Sequence, residues 1–128
     1  MMTNDKKARL LALYRENAFE IQRLDRELEA YAKRLDAAWA VGIDCANYTA
    51  IQEHGNALLQ RLSKASRERA TAERMVCAVE DVRHRTLLTL HYLDGLTWTE
   101  TAEAMGYDIR YIFRMRGKAL EALEILEG

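Results

Sequence analysis

Apolar positions recur through the first part of the chain with alternating steps of four and three residues. Residues 5–40 contain neither glycine nor proline. The positions that follow this spacing are Leu10, Tyr14, Asn17, Ile21, Leu24, Leu28, Tyr31, Leu35 and Ala38. Heptad spacing of this kind is typical of a helix that packs along its length against a partner helix. We therefore predict one long helix over residues 5–40.

A short segment with a glycine interrupts this pattern. Gly42 can adopt the left-handed conformation that ends a helix, and Asp44 or Asn47 can cap the next one. A second helix is predicted over 48–80, and its weaker seam is Ile51, Gly55, Leu58, Leu62, Ala65, Arg69, Ala72, Val76 and Val79. Because the connection is short, the two helices should form an antiparallel hairpin. We interpret residues 1–80 as a hairpin that acts as a spacer or oligomerisation element, with a homodimer as the favoured state.

Shorter amphipathic segments separated by glycines make up residues 81–128. The pattern predicts one helix over 82–93, a second that ends at Met105, and a third from 109 to about 126. The predicted caps are Thr97 or Thr99 for the second helix, with Thr97 and Glu100 at capping-box spacing, and Asp108 for the third. This part of the chain is therefore predicted to be a separate three-helix domain.

A helix, a glycine turn and a further helix at this spacing are typical of a helix-turn-helix. Two helices that cross closely need a small residue, here Ala102, and a tight reversal that tolerates positive φ, here Gly106. The second helix must bury a branched side chain, here Ile112. The supporting apolar positions are Trp98, Met105, Tyr107 and Met115. Thr101 is the exception, since a larger aliphatic residue is expected there.

The outward side of the last helix is predicted to contact DNA in the major groove. Its outward residues near the helix start are Ile109, Arg110, Phe113, Arg114 and Gly117. The four basic residues of segment 109–118, which has no acidic one, are Arg110, Arg114, Arg116 and Lys118. Arginine can bind guanine bidentately, and Phe113 can contact a thymine methyl group. The candidates for phosphate contacts are Arg83, Arg85, Thr97 and Thr99. The alternative is a surface helix whose basic residues pair with Glu121 and Glu124.

Composition narrows the class of protein. The chain has 128 residues, no proline and a net charge of −1, so an all-α fold is expected and any nucleic-acid surface must be a local patch. Cys45 and Cys77 form no disulfide framework or metal motif, and His54, His84 and His91 share no catalytic motif. We therefore expect a cytoplasmic protein that is not an enzyme, with no cofactor, no metal and no membrane association.

The segment 85–107 resembles the fourth region of bacterial sigma factors. It resembles more closely the small phage and prophage transcriptional regulators of the ArpU and RinA kind, through Leu-Asp-Gly-Leu-Thr-Trp at 93–98 and Gly-Lys-Ala-Leu at 117–120. The resemblance implies binding to double-stranded DNA at phage or mobile-element promoters, and activation with RNA polymerase. The family pattern matches this chain at Trp98, Ala102, Gly106, Ile112 and Gly117, and at the basic residues Arg110, Arg114 and Lys118. The chain departs from it at Thr101, usually isoleucine or valine, at Asp108, commonly serine, and at Tyr111, commonly glutamine.

Two other classes of protein are compatible with this organisation. A DNA-recognition subunit of a phage packaging machine, the small terminase, also joins a helix-turn-helix to helical oligomerisation segments. A ring of several subunits would favour the terminase, whereas a monomer or dimer would favour the regulator. A protein-interaction module would use the hairpin to bind a partner, and its C-terminal helices would be only structural. A complete sigma factor is not expected, because no segment remains to melt promoter DNA.

Overall fold

The chain is described by a computed structural model that covers residues 2–42 and 44–125, without the side chains of Cys45 and Ala46. Within those ranges it is entirely helical apart from its connections, and the predicted all-α class is confirmed. The helical elements are α1 (Asn4–Val41), α2 (Cys45–Cys77), α3 (Val82–Leu88), a π-helical turn (Thr89–Leu93), α4 (Trp98–Met105) and α5 (Ile109–Ala122).

The two long helices lie close to their predicted ranges. Gly42 follows α1 with a φ of 82°, in the left-handed region that glycine tolerates. Asp44 Oδ1 accepts a hydrogen bond from the Asn47 backbone N–H at 2.8 Å, so Asp44 and not Asn47 caps α2. This cap places the start of α2 at Cys45, earlier than the predicted start at residue 48.

The last helix is shorter than predicted. It ends at Ala122, and Leu123 takes an extended backbone conformation with φ −77° and ψ 125°. The Leu123 side chain is fully buried. The chain therefore leaves the helical conformation at the residue whose side chain enters the core. The predicted helix end near residue 126 lies outside the described residues.

The chain divides into two compact units, one formed by residues 1–19 with 67–128 and the other by residues 20–66. In the 20–66 unit, Leu24 and Leu58 are buried. A Cβ built at Gly55 would lie 2.5 Å from Tyr31 Cζ, so a larger residue there would require the Tyr31 ring to move. The division predicted between residues 80 and 81 stays a prediction.

The other unit has one hydrophobic core to which every helix contributes. Its buried members are Leu11, Ala72, Met75, Val76, Val79, Leu87, Leu88, Tyr92, Leu93, Ala102, Ile112, Met115, Ala119, Leu120 and Leu123. The core thus combines side chains from α1 and α2 with those of α3, α4 and α5. The predicted seam residue Leu10 is half-buried, whereas its neighbour Leu11 is fully buried.

The single helix predicted over 82–93 changes its geometry part-way. After Leu88 the chain widens into the π-helical turn, which closes where the Asp94 N–H donates to the Thr89 carbonyl at 2.9 Å. Arg69 of α2 binds the end of this turn, since its guanidinium donates to the Leu93 carbonyl and to Asp94 Oδ1. A polar residue in the predicted seam of α2 therefore has a defined partner.

Candidate nucleic-acid interface

The connection between α4 and α5 is built from local hydrogen bonds that the sequence predicts. Thr97 Oγ1 accepts from the Glu100 N–H, and Glu100 Oε1 accepts from the Thr97 N–H, each at 3.1 Å. This is the predicted capping box, with Thr97 as the cap. Gly106 ends α4 with φ 73°, and Asp108 Oδ1 caps α5 by accepting from the Arg110 N–H at 2.8 Å. The direction of α5 is therefore set by two caps and one left-handed residue.

Packing between α4 and α5 uses the predicted small and branched residues. Ala102, Ile112 and Met115 are all buried in the core. Thr101 is fully buried too, and its hydroxyl donates to the Thr97 carbonyl at 2.8 Å, which satisfies the polar atom. This hydrogen bond explains how threonine occupies a position where an aliphatic residue is expected.

Tyr107 does not support the core as predicted. Its side chain is exposed, and its ring lies against that of Tyr111 with centroids 5.0 Å apart. Trp98 and Met105 are half-buried and pack against the core, as expected. The chain turns at Gly106, and this reversal leaves the next side chain on the surface.

The outward face of α5 is basic and partly apolar. Ile109 is 36% exposed and Phe113 is 49% exposed. Arg110, Arg114 and Lys118 are exposed as well. Phe113 is partly held by Trp98, since the two rings meet edge to face with centroids 5.8 Å apart. One side of α5 thus presents three cations beside two apolar side chains.

The cations of this face have no carboxylate partner within residues 2–42 and 44–125. Neither Glu121 nor Glu124 pairs with Arg110, Arg114 or Lys118 there. The Arg114 guanidinium lies 6.0 Å from the centroid of the Tyr111 ring. Such a contact orients a guanidinium without neutralising it. The charges of this face are therefore available to an anionic partner.

Arg116, unlike the three exposed cations, is half-buried. Its guanidinium is 5.7 Å from the centroid of the Trp98 ring, and its buried Nε has no hydrogen-bond partner among the described residues. Arg116 is therefore part of the packing between α4 and α5.

The predicted phosphate-contact residues differ in exposure and in the hydrogen bonds that they already make. Arg85 is half-buried and donates to the Val79 carbonyl at 3.2 Å. Arg83 is exposed and donates to Tyr111 Oη at 3.0 Å. The Thr97 hydroxyl serves the capping box, and Thr99 is exposed at the first turn of α4. Of the two arginines, Arg83 has the more accessible side chain.

Behind the outward face lies a ring stack that the sequence pattern does not indicate. His91 of the π-helical turn is 8% exposed and stacks on Trp98 with ring centroids 3.6 Å apart. His91 Nδ1 lies 2.7 Å from the Leu96 carbonyl oxygen, so the neutral ring donates its proton there. The pKa of His91 is lowered to about 4, mainly by burial; the charges of Arg15 and Arg116 act in the same direction, and the hydrogen bond to Leu96 opposes them.

This histidine predicts acid sensitivity of the fold. Because its pKa in the folded chain, about 4, lies below the ordinary value of 6.5, the unfolded chain binds the proton first as the pH falls. The contribution of neutral His91 to the free energy of unfolding is fully present above pH 6.5 and is lost progressively as the pH falls toward 4. We expect the free energy of unfolding to fall by roughly 1–2 kcal/mol between pH 7 and pH 5, measured by urea denaturation. His91→Phe keeps a ring on Trp98, so its stability should depend less on pH in this window; an unchanged dependence would assign the effect elsewhere.

Two glycines of this region should respond in opposite ways to alanine. Gly106 has φ 73° with open space around a built Cβ, so Gly106→Ala adds only backbone strain, about 1 kcal/mol of lost stability. Gly117 lies inside α5 with no atom within 4 Å of a built Cβ, so Gly117→Ala should add up to about 1 kcal/mol of stability. Thermal unfolding of the two variants measures both, and a loss of stability in both would contradict the placement of Gly117.

Other functional features are not found in the described part of the chain. No three His, Cys, Asp or Glu side chains there are grouped so that they could hold a metal ion. None of its helices is both long enough and apolar enough to cross a membrane. A scan against protein-family models and searches of curated proteins and of solved structures found no match to this chain.

Proposed function

We propose that this chain is a sequence-specific DNA-binding transcriptional regulator of phage or mobile-element genes. The observation that carries the proposal is the outward face of α5, where Arg110, Arg114 and Lys118 are exposed and unpaired among the described residues. Such a helix, preceded by a shorter helix and a tight turn, fits the major groove in helix-turn-helix proteins. α4 is the supporting helix and α5 the recognition helix.

The residues of this face have separate roles in the proposal. Arg110 and Arg114 bind guanine O6 and N7, and Phe113 with Ile109 contacts thymine methyl groups. Gly117, Lys118 and the start of α4 lie against the sugar-phosphate backbone, which sets the register but carries no sequence information. The partly apolar, partly cationic character of the face supports this division.

The long helices are proposed to form an antiparallel hairpin. In the 20–66 unit, Glu20 pairs with Arg61, and the Trp39 ring meets the Tyr48 ring. Trp39, near the end of α1, thus contacts Tyr48, near the start of α2, whereas Glu20 contacts Arg61, further along α2. This order is that of an antiparallel pair. We propose that this hairpin joins two copies of the chain, since Val41 is 86% exposed and Trp39 and Leu59 are exposed too. The mass of the protein in solution distinguishes a dimeric regulator from a ring-forming terminase.

The resemblance to sigma region 4 extends the proposal to the cytoplasmic transcription machinery. The regulator acts at promoters, binds double-stranded DNA, and activates with RNA polymerase as its protein partner. It works as a binding protein without a cofactor, and no reaction is assigned to it.

Binding to duplexes tiled across the neighbourhood of the gene tests the proposal. Random duplex is the competitor and the salt concentration is varied, because phosphate contacts alone give affinity that falls steeply with salt. We expect one duplex to be retained at physiological salt, at least about a thousand-fold above the competitor. Uniform weak binding that vanishes with salt would contradict sequence-specific regulation by this chain alone.

A further inference from the structure

A small cleft lies between the start of α3 and the middle of α5, beside the outward face of α5. Its volume is about 170 Å³. The residues that line it are Arg83, His84, Tyr111, Arg114, Met115 and Lys118. Both helices belong to the same compact unit and pack directly on each other. The cleft therefore lies within one compact unit.

Positive charge dominates this cleft. Arg83, Arg114 and Lys118 line it, and none of its six lining residues is acidic. Asp81 stands beside it and offsets one of the three charges, since its Oδ2 lies 3.4 Å from an Arg83 nitrogen and 3.9 Å from His84 Nε2. The pKa of Asp81 is lowered because it accepts hydrogen bonds from the Arg83 backbone and side chain. The cleft therefore carries a net positive charge.

Hydrogen-bond donors line the cleft from both α3 and α5. Arg83 of α3 donates from Nη1 to Tyr111 Oη at 3.0 Å and from Nη2 to Asp81 Oδ2 at 3.4 Å, which holds its guanidinium against α5 and leaves its remaining N–H groups unused. Lys118 lines the cleft from α5, and Arg114, four residues earlier on the same side of the helix, adds positive charge to its wall while its own donors serve base recognition. Cationic donors that converge from two elements suit a tetrahedral anion with several acceptor oxygens.

The cleft also continues the outward face of α5. Arg110, Arg114 and Lys118 follow one another at intervals of four residues, and the last two of them line the cleft. A helix placed in the major groove has the sugar-phosphate backbone along its edge. The group that reaches the cleft in that position is a backbone phosphate.

We propose that this cleft binds a phosphate group of the DNA backbone, next to the base pairs that α5 contacts. The inference rests on the proposed function and adds His84 and Tyr111 to the residues of the interface. Tyr111 is a positioning residue, because it orients Arg83. The cleft supplies affinity and register, and base recognition belongs to Arg110 and Arg114.

The salt dependence of DNA binding by the full chain tests the cleft. The variants are Arg83→Gln and Lys118→Gln, and the matched control is Arg67→Gln, which removes the charge of an exposed arginine of α2. The slope of log Kobs against log salt concentration should become shallower by about 0.9 for each phosphate that a variant no longer neutralises. Target and random duplexes should lose affinity by a similar factor, whereas Arg67→Gln should keep the wild-type slope.

The outcomes separate the cleft from the regulator. If both cleft variants keep the wild-type slope while the wild type still selects its target, the cleft proposal is overturned and the proposed function stands. If the wild type itself shows no salt-dependent binding to any duplex, both are overturned.

A second arm uses inorganic phosphate without DNA, at an ionic strength matched with chloride. If the cleft binds only phosphate groups that belong to a DNA backbone, the protein should show no saturable binding of free inorganic phosphate. Saturable binding at low phosphate concentration that disappears in Lys118→Gln would assign the cleft to a free phosphate compound and overturn the DNA assignment.

Discussion

A fragment that begins at residue 81 should fail to fold cooperatively, although it contains every residue expected to contact DNA. The core around α3, α4 and α5 includes five buried side chains from residues 1–80: Leu11, Ala72, Met75, Val76 and Val79. The larger ones each contribute about 1.5–3 kcal/mol by burial, and their sum is comparable with the whole stability of a typical domain. Lys7 also binds the Leu120 carbonyl at 2.8 Å, near the end of α5. Removing residues 1–80 deletes all of these interactions.

Circular dichroism during heating compares the fragment with the full chain. The full chain should unfold cooperatively, and the fragment should show weak helicity without a transition. A point substitution tests the same packing: Leu11→Ala should cost about 2–5 kcal/mol, because the side chain is fully buried. The matched control is Leu13→Ala, at a site that is 57% exposed, with an expected change within about 0.5 kcal/mol. A fragment that melts at the temperature of the full chain would support the division predicted at residues 80 and 81.

The parts of this chain that its sequence predicts well depend on short-range geometry. The pair Thr97 and Glu100 forms its capping box from atoms three residues apart, so the spacing alone is informative. The same holds for Gly106, whose positive φ follows from its place between two helical patterns, and for the cap at Asp108. Turn and cap chemistry needs no knowledge of distant residues.

The parts that the sequence does not predict depend on neighbours that are distant along the chain. The heptad steps predict that Leu10 is buried, but Leu11 is the residue buried in the core of the unit formed by the two ends of the chain. The reason is that α1 packs there against more than one element. The stack of His91 on Trp98 needs the π-helical turn, and no periodicity predicts such a turn. Charge alone makes Arg85 a candidate for a phosphate contact, and only the tertiary structure shows its bond to the Val79 carbonyl.

Replacing Arg110 and Arg114 together with alanine should abolish selective DNA binding by the chain. Each arginine that contacts a guanine contributes about 1–3 kcal/mol of affinity and of discrimination. The two are four residues apart on α5, so their effects need not add, and the single variants complete the cycle. For the double variant we expect affinity for the target duplex to fall on the order of a hundred-fold or more, with a much smaller decrease for random duplex. Competition binding at fixed salt measures both decreases.

The stability of the double variant provides the first control. Both side chains are exposed and make no ion pair among the described residues, and Arg114 has only its contact with the Tyr111 ring, so the free energy of unfolding should change by less than about 1 kcal/mol. Arg67→Ala on α2 is the second control, because it removes an exposed arginine from the same compact unit and should leave selectivity unchanged. A double variant that folds normally and still selects the wild-type target would exclude the outward face of α5 as the reading surface. The protein-interaction class would then become the better interpretation, since it assigns these helices a structural role only.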